Sequence, residues 1–276
     1  MADSGMPRED EALRLRSVGS LAEYTVVSGD GDIGTVREFY FDDDIWAIRY
    51  LAVYADIWLP GRKLLISPLA LKSTDWELPK LTVPFTKAEL KATPVIGLDG
   101  PVTRRHQIDM YLYYGWLPYW LEEEYYDVSP PPRQVESKQS PDEEKAADPH
   151  LFGTSEMIEF RIEALDGDVG HIEDFIMDED DWVIHYLVVA LDDPNPEVES
   201  HKSVLISTEW VQKIVRSEER VYVDLDRERV MSSPEYDPAL PISREFELEI
   251  YDHYGRPRYW VEGGDTEEEE DMRFLS

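Results

Sequence analysis

The sequence predicts a mainly β chain: two small β-barrels in tandem, each followed by a C-terminal helix and an aromatic segment. Three observations predict it. The chain repeats itself, each copy opens with short alternating strands broken by acidic turns, and each copy closes on a helical period stopped by glycine.

The repeat comes first. Asp30-Gly31-Asp32-Ile33-Gly34 recurs as Asp166-Gly167-Asp168-Val169-Gly170, an offset of 136. From Ser20 to Val53, 13 of 34 positions are identical at that offset. Chance would give about two for ordinary composition. Beyond a four-residue insertion, the offset becomes 140. Leu65-Ile66-Ser67 then meets Leu205-Ile206-Ser207, and Tyr114-Gly115 meets Tyr254-Gly255. The insertion falls in a loop, at Asp192-Asp193-Pro194-Asn195-Pro196, where extra residues are tolerated.

Within each copy, residues 23–28 alternate and then meet the turn Gly29-Asp30-Gly31-Asp32, whose glycines reach positive φ. A second strand follows from Ile33, then the turn Asp42-Asp43-Asp44, then a strand over Trp46–Val53. Leu64-Leu65-Ile66 and Leu81-Thr82-Val83 add short strands. Many short strands with frequent turns predict a small closed barrel. Thr103–Tyr114 places Ile108, Tyr111, Leu112 and Gly115 on one helical face, with Gly115 as the stop and Pro118 beyond it. Ser243–Tyr254 repeats this with Gly255 and Pro257.

These readings give a first module over 12–126, a Pro-rich acidic linker over 127–149, a second module over 150–262 and an acidic tail over 263–276. Gly31, Gly34, Trp46 and Tyr50, with Gly167, Gly170, Trp182 and Tyr186, are expected to be structural. Trp46 and Trp182 are expected at equivalent, largely buried positions.

Composition narrows function. The formal net charge is −33, from 27 Lys plus Arg against 60 Asp plus Glu. Such a surface repels a phosphate polyanion, so no direct nucleic-acid binding is expected. Acid-rich, lysine-poor composition also suits a high-salt cytoplasm. Cysteine is absent, which removes disulfides and thiolate chemistry. No apolar run approaches the roughly 18 residues of a membrane span, and the N-terminus lacks a signal-peptide pattern. The expected location is cytoplasmic.

Candidate chemistry is thin. The Asp-Gly-Asp turns lack the late glutamate of a calcium loop and read as turn chemistry. The six histidines form no close metal-ligand pair. Neither a nucleophile elbow nor a phosphate-cradling loop is present. No catalytic residue, metal or cofactor is expected. The candidate partner-binding residues are aromatic: Tyr111, Tyr114, Trp116, Tyr119 and Trp120, with Tyr251, Tyr254, Tyr259 and Trp260 in the second copy. The bland reading packs them on their own barrels.

The run from Asp30 to Gly34, with Val36, Phe39, Asp42, Trp46–Val53 and Leu64–Ser67, resembles the PRC-barrel domain. The second copy matches it from Asp166 to Val189 and from Val204 to Ser207. The helix with its Tyr-Gly-x-x-x-Tyr-Trp ending resembles a subgroup of bacterial tandem PRC-barrel proteins. The family includes the cytoplasmic domain of the photosynthetic reaction centre H subunit and the C-terminal domain of the ribosome maturation factor. The resemblance implies a partner-docking barrel with no shared catalytic residue. The sequence departs from both examples, having no membrane helix before the first barrel and a second barrel in place of a different N-terminal domain. The expected function is a non-catalytic, protein-binding scaffold or adaptor. The alternatives are a small-molecule or ion-binding regulator with a site between the barrels, or a reaction centre H-like assembly factor. The two copies are expected to form an intramolecular pseudo-dimer, with the aromatic endings contributing to the contact or flanking it, and a homo-oligomer is a further option.

Overall fold

The computed structural model describes residues 15–55, 58–76, 78–94, 96–98, 100–115, 147–192 and 202–260. The chain is mainly β, with two sheets and a few short helices. In the first repeat the strands are β2 (Thr25–Ser28), β3 (Gly31–Asp42), β4 (Ile48–Tyr54), β5 (Arg62–Ile66), β6 (Ser73–Asp75), β7 (Lys80–Thr82) and β8 (Ile96–Gly97). Helices α2 (Lys87–Ala92) and α3 (Arg104–Tyr114) follow β7 and β8. The second repeat carries β10 (Arg161–Ala164), β11 (Gly167–Asp178), β12 (Ile184–Leu191), β13 (Ser203–Ser207), β14 (Val211–Val215) and β15 (Arg220–Val223). Helices α5 (Arg227–Met231) and α6 (Arg244–Tyr254) complete it.

The first sheet runs β6-β7-β2-β3-β4-β5-β8 and the second β14-β15-β10-β11-β12-β13, the same order in equivalent strands. Bulges recur at equivalent places: Val26/Val27 and Ile162/Glu163, Val36/Glu38 and Ile172/Asp174, Tyr40/Phe41 and Ile176/Met177. Among the described residues, the hydrogen-bonded path of each sheet stays open from end to end. The mainly β expectation is met by two bulged sheets, and no closure into a barrel is seen among the described residues. Bulges bend a strand and increase its twist.

Glycine fixes this path where backbones touch. A Cβ on Gly34 would lie 2.2 Å from the Tyr54 carbonyl oxygen, and one on Gly170 2.0 Å from that of Ala190. Gly31 (φ 107°) and Gly167 (φ 140°) hold the turns before the long strands. The adjoining carboxylates cap helices: Lys87 N–H donates to Asp30 Oδ2 at 3.0 Å, and Arg227 N–H to Asp166 Oδ1 at 2.7 Å. The Asp-Gly-Asp turns thus secure the first turns of α2 and α5.

The halves are joined by strand exchange. β1 (Leu15–Ser17), which opens the first repeat, pairs antiparallel with β11 of the second, Leu15 opposite Asp178 and Ser17 opposite Ile176. β9 (Leu151–Gly153), which opens the second repeat, pairs with β3 of the first, Leu151 opposite Asp42 and Gly153 opposite Tyr40. The two registers are identical at the offset of 136. Short helices α1 (Val18–Leu21) and α4 (Thr154–Met157) continue each exchanged strand. Between them, Ala47 bridges its own equivalent, Val183. Ile48 N–H donates to the Trp182 carbonyl at 2.8 Å, and Ile184 N–H to that of Trp46 at 2.9 Å. Contacts that return as themselves when the partners are exchanged define an isologous interface. One continuous apolar core crosses it, with Phe41 and Phe175 5.8 Å apart.

Two expectations are corrected. Trp46 and Trp182 do not begin strands. Each sits at φ 60° in the turn before one. Trp46 is buried and stacks on Phe41 at 5.0 Å, whereas Trp182 is half-buried and lies 6.0 Å from Trp76. In α3 the inner face is Gln107, Met110 and Tyr111, and Leu112 is 74 % exposed. Periodicity had set Leu112 inside, but its Cα lies one residue past Tyr111, about 100° further round the helix.

Candidate functional site

Each C-terminal helix is a capped unit. Thr103 accepts from His106 N–H and Ser243 from Phe246 N–H, each at 3.2 Å. Gly115 (φ 69°) and Gly255 (φ 63°) end the helices in the left-handed conformation, as their spacing predicts.

Under each helix lies a buried polar knot centred on Tyr50 or Tyr186. The Tyr50 hydroxyl donates to Gln107 Oε1 at 3.2 Å, and Gln107 Nε2 donates to Asp148 Oδ2 at 2.6 Å. Arg104 Nε sits 2.9 Å from the same carboxylate oxygen. In the second repeat Glu247 replaces Gln107. Its Oε1 accepts from Tyr186 at 2.6 Å and from Tyr259 at 3.0 Å, and Arg244 donates to its Oε2 at 2.7 Å. Burial pushes the Glu247 carboxyl up, and the bonds from Tyr186 and Arg244 hold it down in part. Burial beside Glu247 drives the Tyr186 and Tyr259 hydroxyls well above the usual tyrosine range. Asp148 thus gives the first repeat the carboxylate that the second keeps on its helix. Gln107, Asp148 and Glu247 escape a sequence reading because a lone polar residue on an inner helical face carries no motif. The sequence signal was the equivalence of Gln107 and Glu247 at the 140 offset.

The aromatic candidates divide. Tyr111, Tyr251 and Tyr254 are buried and offer a partner no surface. They pack helix on sheet, Tyr251 and Tyr254 lying 5.2 and 4.7 Å from Trp210. Tyr114 is half-buried against Phe85 at 4.8 Å. Tyr259 and Trp260 turn back onto α6: Trp260 meets Tyr251 at 5.1 Å and carries the Arg244 guanidinium over its ring at 4.1 Å. Trp116, Tyr119 and Trp120 lie outside the described residues. Gly31, Gly34, Tyr50, Gly167, Gly170 and Tyr186 take the turn, contact and core positions already given.

At the seam the geometry is more open. A groove of about 630 Å³ separates Asp44, Ile45 and Trp46 of the first repeat from His185, Glu209 and Tyr259 of the second. His185 stacks on Tyr259 at 4.6 Å, which ties the groove wall to the Glu247 knot. Asp43, Asp44 and His150 bring three possible ligand atoms within 4.8 Å of one another. His150 Nδ1 is 3.0 Å from Asp43 Oδ1, so the pair already satisfies itself. Burial raises the Asp43 carboxyl, and the bond to His150 lowers it in part. His106 hydrogen-bonds Thr103, and His253 meets the Arg229 carbonyl at 2.8 Å. No family model and no curated protein matches this chain. Among the described residues, no helix is long and apolar enough to cross a membrane.

Proposed function

We propose that the chain is a non-catalytic scaffold or adaptor, built from two PRC-barrel-type modules fused into an intramolecular pseudo-dimer and working in the cytoplasm. The observation that carries this reading is the reciprocal exchange of β1 and β9. It fixes two like sheets in one mutual placement, which is what a protein presenting paired surfaces to a partner needs. The polar knots support the same reading, because Glu247, Tyr186 and Tyr259 satisfy one another and hold helix to sheet. The test is to cross-link the chain in its native cells, identify a stoichiometric protein partner, and re-form the complex from purified components. A chain that runs free of any stoichiometric protein in cross-linked native material would refute the adaptor reading.

One observation favours a second reading, a small-molecule or ion-binding regulator: the seam groove has the volume of a ligand pocket and polar groups from both halves. A native extract of small metabolites that raises the unfolding temperature, and fails to do so after groove substitution, would support it.

A further inference from the structure

The two exchanged strands share a register but not a chemistry. Glu38 of β3 and Asp174 of β11 are equivalent, and each carboxyl meets the residue that ends the strand laid on it. On β11, Ser17 Oγ donates to Asp174 Oδ2, and Gly19 N–H donates to Oδ1 at 2.8 Å. The short carboxylate is filled by the strand it receives. On β3 the longer Glu38 reaches across the strand instead. A Cβ on Gly153 would lie 2.3 Å from Glu38 Oε1 and 3.3 Å from Tyr40 Cε1. Glu38 is held in that place, because the Tyr40 hydroxyl donates to its carboxylate and accepts from Lys63 Nζ at 2.7 Å. The other repeat has Ile176 and Ser203 at those two positions. The Gly153 backbone, at φ −84° and ψ 138°, is open to any residue, so its neighbours and not its conformation ask for glycine.

The middle residue of each strand differs as well. Arg16 forms an ion pair with Glu179, whose side chain is 7 % exposed, and lies 4.8 Å over the Trp76 ring. Phe152 carries the Arg216 guanidinium over its ring at 4.0 Å and lies 6.2 Å from Phe41. Trp76 and Arg216 belong to the same halves as the strands they cover. Those two contacts travel with the strand and do not choose a sheet. The choice falls on what meets the strand across the seam: Glu38 at Gly153, Asp174 at Ser17 and Glu179 at Arg16. A strand of the wrong kind is penalised on either sheet. β1 laid on β3 would set Ser17 against Glu38, although Arg16 would still find a carboxylate in Asp43. β9 laid on β11 would give up the bond from Ser17 and put Phe152 where Glu179 meets a guanidinium, a costly change at a buried carboxylate.

We propose that the outer sides of β3 and β11 are strand-docking surfaces of unlike specificity. β3 admits a strand with glycine opposite Tyr40, and β11 selects one with Arg-Ser opposite Met177 and Ile176. Each half therefore takes the opening strand of the other and refuses its own. The partner that fits each surface is the unlike half of this chain. A like half, whether from the same chain or from a second copy, meets a clash on β3 and a lost ion pair on β11. Selectivity of this kind needs a repulsive element beside the attractive one, and Glu38 and Glu179 supply them in turn.

The test uses the full chain and builds the like-with-like contacts into it one at a time. Gly153→Ser puts the β1 residue on β3, and Asp174→Glu puts the β3 residue under β1. The unfolding temperature at fixed salt is read by circular dichroism. Each single substitution is expected to lower it by several degrees. Each cognate substitution is expected to recover at least about half of that loss: Glu38→Asp added to Gly153→Ser, and Ser17→Gly added to Asp174→Glu. The mismatched double Gly153→Ser/Asp174→Glu, with its two sites on different strands and no shared partner, is expected to lose the sum. A single variant as stable as the parent overturns the proposal, and so does a cognate double no more stable than its Gly153→Ser or Asp174→Glu single. Where a single variant does not fold, its cognate double decides: a folded double supports the selectivity and an unfolded one overturns it.

Discussion

Replacing Trp46 tests the turn and the core together. The indole is buried and stacked on Phe41, so Trp46→Ala costs about 3–5 kcal/mol in lost burial and cavity formation. The backbone adds a second effect. At φ 60° any Cβ meets the following carbonyl, at a cost of roughly 1–2 kcal/mol that alanine keeps and glycine removes. Glycine returns about 0.4–1 kcal/mol through its freer unfolded chain. The balance makes Trp46→Gly more stable than Trp46→Ala by about 0.5–1 kcal/mol, the reverse of the usual order inside strands. Urea unfolding followed by far-ultraviolet circular dichroism at fixed salt measures both variants. Trp182 shares the φ and is half-buried, so the same order is expected there with a smaller total loss. A glycine variant less stable than the alanine variant at either position would refute the left-handed turn.

Other outcomes follow from the same geometry. Gly34→Ala and Gly170→Ala set a methyl against a backbone carbonyl, which no rotamer relieves, and each should cost about 3 kcal/mol or more by urea unfolding. Glu247→Ala removes the acceptor of Tyr186, Tyr259 and Arg244 and should cost about 3–5 kcal/mol, whereas Glu247→Gln, the choice made at Gln107, should be milder. Because burial holds the Glu247 carboxyl above its usual 4.5, its contribution is full below that pH and is lost as pH rises through the raised value. The Gln variant should therefore show a shallower fall of stability over that window in pH-dependent unfolding. Residues 1–126 and 147–276 expressed separately should associate when mixed, more tightly at higher salt, and two monomers in sedimentation would contradict the exchange. A DNA or RNA gel shift at physiological salt should show no complex.

What could be read from the sequence was whatever the chain says twice. The glycines at 31, 34, 115 and 255, Tyr50 and Tyr186 all lie in the repeated pattern. The exchanged strands did not show. Leu15-Arg16-Ser17 and Leu151-Phe152-Gly153 share only leucine, and three residues hold no measurable period. Their partners explain the divergence: Ser17 donates to Asp174, while a Cβ on Gly153 would lie 2.3 Å from the longer Glu38 side chain. The tryptophan turns were misread because tryptophan favours strands, and its left-handed backbone is imposed by bonds across the seam. A site between the barrels was open as an alternative, but its lining residues were out of reach for a related reason. Its walls differ between the copies, at Ile45 against Asp181, His185 against Arg49 and Glu209 against Leu69, and an alignment of like with like passes over such places.

The exchange of β1 and β9 also sets an order of events during synthesis. When the first repeat leaves the ribosome, the outer side of β3 at Tyr40–Asp42 has no strand beside it, because Leu151–Gly153 is about 110 residues downstream. At 5–20 residues per second that edge waits roughly 5–20 s. β1 waits longer, since β11 ends at Asp178. An open edge invites pairing with any passing strand. Like charges on neighbouring nascent chains oppose such pairing, so the net charge of −33 works against edge-to-edge contact while the edge is open.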